Sequence, residues 1–263
     1  MKKRILRKLL GKNYVAGNDM LLFVENLNTD ERKALLQLLQ NTPPIIDKAK
    51  EKLEADDTED FQKFGGNEVL DISYTQTPFV SMVRKRAGWL IVLFISEMLT
   101  ASAMSYFDDE LAHAVVLALF VPLIISSGGN SGSQAASLII RALALDEINL
   151  RNWWMVMKKE ILSGLCLGLI LGGIGFFRIW MWQSMGIYDY GCYWTLVATA
   201  VSISLMLIVL WGTLAGSMIP LLLKRIGLDP ATASAPFVAT LVDVTGLVIY
   251  FTVAAFFLTG KLL

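Results

Sequence analysis

The chain has 263 residues and equal numbers of basic and acidic side chains, 23 of each. It therefore offers no broad electrostatic footprint for nucleic acid. Hydrophobic residues make up 55% and charged residues 17%, against roughly 45–50% and about 25% in soluble globular chains, which excludes an ordinary soluble domain. Two cysteines, Cys166 and Cys192, cannot build a disulfide framework, and the single His113 leaves little material for zinc chemistry.

The charge is unevenly placed. The first 83 residues carry 12 Lys/Arg and 13 Asp/Glu, and the remaining 180 carry only 11 and 10, set between long apolar runs. This pattern reads as a small polar head on a membrane domain. The start, MKKRILRKLLGKNYV, has the basic character of a signal peptide, but its apolar stretch breaks after a few residues, so it is expected to be retained in the cytoplasm. From Asn28 the segment NTDERKALLQLLQNTPP predicts a capped amphipathic helix that ends at Pro43 and Pro44. An acidic run follows, with Glu51, Glu54, Asp56, Asp57, Glu59 and Asp60. It reads either as a solvated helix face or as a cytoplasmic cation site at Asp56, Asp57, Glu59 and Asp60.

A helix needs about 20 apolar residues to cross the hydrocarbon core. Five stretches qualify: 87–106, 112–143, 161–182, 193–223 and 233–258. Arg84, Lys85, Arg86, Arg141, Arg151, Lys158, Lys159, Lys224 and Arg225 flank one side, and Arg178 and Lys261 the other. The positive-inside rule then puts the N-terminus in the cytoplasm and the C-terminus outside. The first outer loop carries Asp108, Asp109 and Glu110, a local attraction for cations. Six tryptophans (Trp89, Trp153, Trp154, Trp180, Trp182 and Trp194) lie near span ends as interfacial anchors. Gly164, Gly168 and Gly172 in the third span, and Gly212 and Gly216 in the fourth, have the spacing of close helix packing, within one chain or across a dimer.

Three places break the apolar rule. Asp243 sits deep in the fifth span with no basic residue at its depth. An aspartate there costs roughly 2.5–3.5 kcal/mol, so it should face a polar cavity, a partner or a cation. Glu97 lies about as deep in the first span, where function and local hydrogen bonding are equal alternatives. In the second span, SSGGNSGSQAAS includes Gly128-Gly129, which with Pro122 predicts a kinked or unwound helix. Asn130, Ser131, Ser133 and Gln134 would line a pore there, with Gly129 beside them. Gly129-Asn130-Ser131-Gly132 also fits the nucleophile pattern of rhomboid intramembrane proteases, but no histidine follows Ser131 to serve as its base, and no enzymatic activity is expected.

PLIISSGGNSGSQAASLIIRALAL, from Pro122 to Leu145, and LDPATASAPFVATLVDVTGLVIYF, from Leu228 to Phe251, together resemble the MgtE family of magnesium channels and transporters. The likeness runs from roughly Glu54 to the C-terminus, and the acidic DDTEDFQKFGG ending at Gly66 is similar to the family's connector. The resemblance implies a homodimeric pore in which Asp243 holds a largely hydrated Mg2+, with backbone oxygen at Ala239 and the amide of Asn130 beside it. Gln134, Glu97, Ser131 and Gly129 are secondary candidates. The paired cystathionine-β-synthase (CBS) sensor module of the family is expected to be absent, leaving gating by that route in doubt.

The expectation is therefore an all-α integral membrane protein. Residues 1–53 form a short cytoplasmic helical segment, 54–86 an acidic connector with a membrane-proximal helix, and 87–263 a five-helix transmembrane domain. It would carry Mg2+, as transported ion and ligand, across the plasma membrane. The lipid bilayer and a second copy of the chain are the expected partners. A non-conducting regulatory or scaffold subunit is the alternative.

Overall fold

A computed structural model describes residues 33, 74–108, 114–145, 147–232 and 235–260. The helix expected after Asn28 and the acidic run from Glu51 to Asp60 lie outside them. The described residues form helices and turns without strands. Five long helices follow in chain order: α1 (Phe79–Tyr106), α2 (Val121–Ala144), α3 (Trp153–Ser184), α4 (Trp194–Arg225) and α5 (Ala235–Leu258). All five are long and apolar enough to cross a membrane. They alternate in direction, so Phe79, Ala144, Trp153, Arg225 and Ala235 mark one end of the bundle, where most basic residues lie. That end is called the basic end below.

Helix α4 is the centre of the bundle and packs on α2, α3 and α5, whereas α1 rests mainly on α5. The main core joins Leu117, Phe120 and Ile124 to Val201, Leu205 and Ile208 of α4 and to Leu247, Tyr250 and Phe251 of α5. Two aromatic contacts fix α1 parallel to α5: Trp89 meets Phe237 at 6.2 Å between ring centroids, and Phe107 stacks on Phe251 at 4.9 Å.

Helix α1 begins at Phe79, so Arg84, Lys85 and Arg86, which precede the apolar stretch from residue 87, lie in the same helix. One expectation needs correction. The second span was expected to kink or unwind through Gly128-Gly129. Instead α2 is regular from Val121 to Ala144, and the departure from α geometry lies earlier, in a 3-10 helix at Val115–Phe120. Pro122 sits in the first turn of α2, where its missing N–H costs nothing. The glycines serve packing. A Cβ at Gly128 would lie 2.5 Å from Ile208 Cγ2, and one at Gly212 would lie 2.6 Å from the Gly128 carbonyl oxygen.

The fate of the other small residues follows the same logic. Gly164, Gly168 and Gly172 do face α4 within the chain, but Gly212 and Gly216 face Gly128 and Gly132 of α2. Without hydrophobic force between helices in lipid, such backbone approach supplies the dispersion contact that holds them together.

The fully buried Tyr250 hydroxyl donates to the Leu117 carbonyl at 2.9 Å. Tyr250→Phe keeps the ring and removes this buried hydrogen bond, so a loss of about 0.5–1.5 kcal/mol is expected. Thermal unfolding in detergent measures it, and an unchanged midpoint would show that Leu117 finds another donor.

Between α3 and α4 the turn is held by Asp189, whose carboxylate accepts from the Gln183 side-chain amide at 3.1 Å and the Gly191 N–H at 2.9 Å. Those bonds, the Gln183 one first, hold the carboxyl below the usual aspartate range.

Candidate functional site

Residues four apart on a helix share a face. On α5 this puts Ala239 and Asp243 one above the other, turned toward α2. Opposite them is Gly129: a Cβ there would come within 3.1 Å of Asp243 Oδ1 and 3.4 Å of Ala239 Cβ. Gly129 is thus the notch that lets a carboxylate lie against the α2 backbone. One turn toward the basic end, the Ser133 hydroxyl donates to the Ala235 carbonyl at 3.1 Å and pins the two helices in register. Asp243 lies about 12 Å along α5 from its start, at ~1.5 Å per residue.

Beside this notch α2 presents a polar stripe. Ser126, Asn130 and Gln134 are spaced by four and all are exposed. The Asn130 amide donates to the Ser126 hydroxyl at 3.3 Å. Glu97 is exposed on α1, the helix that rests on α5. The fold therefore brings Asp243, Ala239 and Gly129 together, with Asn130 and Gln134 along the adjoining face of α2, whereas Glu97 stands on a different helix, α1.

Ser131 is placed elsewhere. It is buried on the opposite side of α2 and donates to the Val209 carbonyl of α4 at 3.4 Å, so it binds helix to helix. Asp56, Asp57, Glu59 and Asp60 lie outside the described residues. Ser126 was not singled out from sequence as a partner of Asn130, although the four-residue spacing carries that signal. Trp211 was also passed over. It lies in the middle of α4, 39% exposed, with its indole N–H on the Thr245 hydroxyl at 2.8 Å. A tryptophan away from the span ends is not an interfacial anchor, and this hydrogen bond ties α4 to α5.

Among the described residues no three His, Cys, Asp or Glu side chains converge to cage a metal. The chemistry on offer is that of a carboxylate with amides, hydroxyls and carbonyls, at mid-depth in a helical bundle.

Residues 121–253 match the MgtE family, described as a divalent cation transporter. The chain belongs to the MgtE family. The stretch begins at the first residue of α2 and ends in α5, so it contains both helices of the Asp243 notch. Proteins named magnesium transporter MgtE are similar to it. The one from Thermus thermophilus is 41% identical over 212 residues, which is 80% of this chain and 44% of that protein. Those from Bacillus subtilis and Enterococcus faecalis are 32% and 31% identical over 76% of this chain. The chain spans less than half the length of each of these relatives. With five membrane-crossing helices, this member of the family is a multi-pass membrane protein.

Proposed function

We propose that the chain conducts Mg2+, or a closely similar divalent cation, across the plasma membrane through a pore built at the seam of α2 and α5. The observation that carries this is Asp243, a carboxylate deep in a spanning helix, seated on the Gly129 notch beside an exposed amide stripe. Mg2+ dehydrates reluctantly and keeps several waters, so one or two carboxylates with amide and carbonyl oxygens suit it better than a closed cage. Asp243 would hold the hydrated ion, with Asn130, Gln134 and the Ala239 carbonyl reading its waters. Three of the relatives are named magnesium transporters, which supports Mg2+ as the ion.

A second copy of the chain completes the path in this reading. In one copy Asn130, Gln134 and Glu97 are exposed at a depth where lipid would solvate them poorly. Facing copies would cover them and set two Asp243 carboxylates opposite one divalent charge. With the basic end in the cytoplasm and the C-terminus outside, an inside-negative potential of about 100 mV favours entry of a divalent ion by roughly 4.6 kcal/mol.

Mg2+ uptake into proteoliposomes under an imposed potential tests the proposal. Uptake that follows the potential supports it, and folded protein that passes no ion would make this a non-conducting subunit. Within that assay Glu97→Gln should raise the half-saturating Mg2+ concentration several-fold with little change in maximal rate, because in this reading Glu97 adds attracting charge while Asp243 holds the ion. An unchanged half-saturation would remove Glu97 from the path.

A further inference from the structure

Helix α3 stands at the edge of the bundle. It meets α4 along its glycine face, and Leu162, Leu169, Ile170, Ile174 and Phe177 are exposed on its other sides. Each end carries a cation–aromatic pair four residues apart. The Lys158 ammonium lies 5.3 Å from the centroid of the Trp154 ring, and the Arg178 guanidinium 3.9 Å from that of Trp182. Twenty residues of helix separate the two cations, about 30 Å at ~1.5 Å per residue. That is the thickness of the hydrocarbon core, so the two pairs mark its two faces.

The ends are not equivalent. Arg178 is half-buried, with Phe120 on a second side at 5.8 Å, so its guanidinium lies between two aromatic rings. At the basic end Arg151, Lys158 and Lys159 are all exposed. Among the described residues no carboxylate pairs with them, whereas nearby Arg141 has Glu147 at 3.9 Å. Trp153 and Trp154 are 50% and 48% exposed and meet edge to face at 5.4 Å. The approach to α3 is fixed: the Asn149 side chain accepts from the Arg151 N–H, and the Asn152 side chain from the Asn149 N–H, each at 3.0 Å.

We propose that this corner binds the headgroup of an anionic glycerophospholipid in the leaflet at the basic end. Arg151, Lys158 and Lys159 take its negative charge, and the Trp153–Trp154 pair seats against the glycerol and upper acyl chain. Amphipathic rings beside cationic heads suit that boundary, where one side is apolar and the other wet. Each basic residue near an anionic surface contributes a factor of about five in affinity, so three give roughly a hundredfold preference over a zwitterionic lipid. The inference does not depend on which ion the protein carries.

The test is quenching of tryptophan fluorescence in the detergent-solubilised full chain by dibrominated phosphatidylglycerol and, separately, dibrominated phosphatidylcholine. The native chain should be quenched at ten- to a hundredfold lower phosphatidylglycerol concentration. The triple variant Arg151→Gln/Lys158→Gln/Lys159→Gln should lose that preference, and Arg178→Gln should keep it. Should the triple variant not fold, Lys158→Gln and Lys159→Gln alone should each weaken the preference about fivefold. A preference that survives these substitutions overturns the proposal. So does displacement of phosphatidylglycerol by millimolar inorganic phosphate at constant ionic strength, which would make the corner a free-anion site.

Discussion

Gly216→Ala is expected to cost the fold roughly 3 kcal/mol, while Gly173→Ala stabilises it by up to about 1 kcal/mol. The same chemical change takes opposite signs because of what the new methyl meets. At Gly216 it falls on the carbonyl oxygen of Gly132, and at Gly212 it would sit 2.6 Å from that of Gly128. Both obstacles are backbone and cannot rotate away, so α2 must move off α4. At Gly173, on the lipid side of α3, nothing lies within 4 Å, and alanine simply favours the helix. Because α2 also carries the Gly129 notch, Gly216→Ala should lower ion uptake along with stability. Unfolding in mixed micelles, followed by tryptophan fluorescence, reads both signs. Equal stability of Gly216→Ala and the native chain would refute the packing role of the α2–α4 seam.

Much of this architecture is legible from composition, because a membrane span announces itself by length and apolarity alone. All five spans were readable in that way, and so was the depth of Asp243. Helix pairing was harder. Glycine spacing marks a face for close approach but does not name the partner, so the sequence left open what Gly212 and Gly216 meet, which is Gly128 and Gly132. The same ambiguity made SSGGNSGSQAAS look like a break. Glycine is equally compatible with an unwound segment and with a regular helix pressed on another, and only the partner backbone decides between them. Ser131 illustrates the limit at one residue: its neighbours Asn130 and Gly129 face the candidate site, and a 100° turn of the helix buries Ser131 against Val209. Ala239 emerged from resemblance alone, since an alanine carries no chemical signal of its own. Its contact with the Gly129 notch, one turn from Asp243, gives it a physical reason to be there.

Asp243→Ala separates function from stability most sharply. A carboxylate and a divalent ion about 5 Å apart attract by roughly 6–7 kcal/mol at an effective dielectric of about 20, much of it offset by lost hydration. A net 2–3 kcal/mol per ion would lower uptake by about 30- to 150-fold, and in the proposed two-copy path the loss of both Asp243 carboxylates would deepen the effect. The fold should respond in the other direction. A lone aspartate deep in a helix costs roughly 2.5–3.5 kcal/mol relative to an apolar residue, and the alanine methyl fits beside Gly129 without contact closer than the carboxylate already makes. The variant should therefore unfold at a temperature equal to or above that of the native chain while passing little Mg2+. Uptake retained in a stable variant would move the ion path away from the α2–α5 seam. Loss of uptake together with stability would recast Asp243 as a residue that holds the helices, because a carboxylate kept only for its ion has no reason to support the fold once the ion is gone.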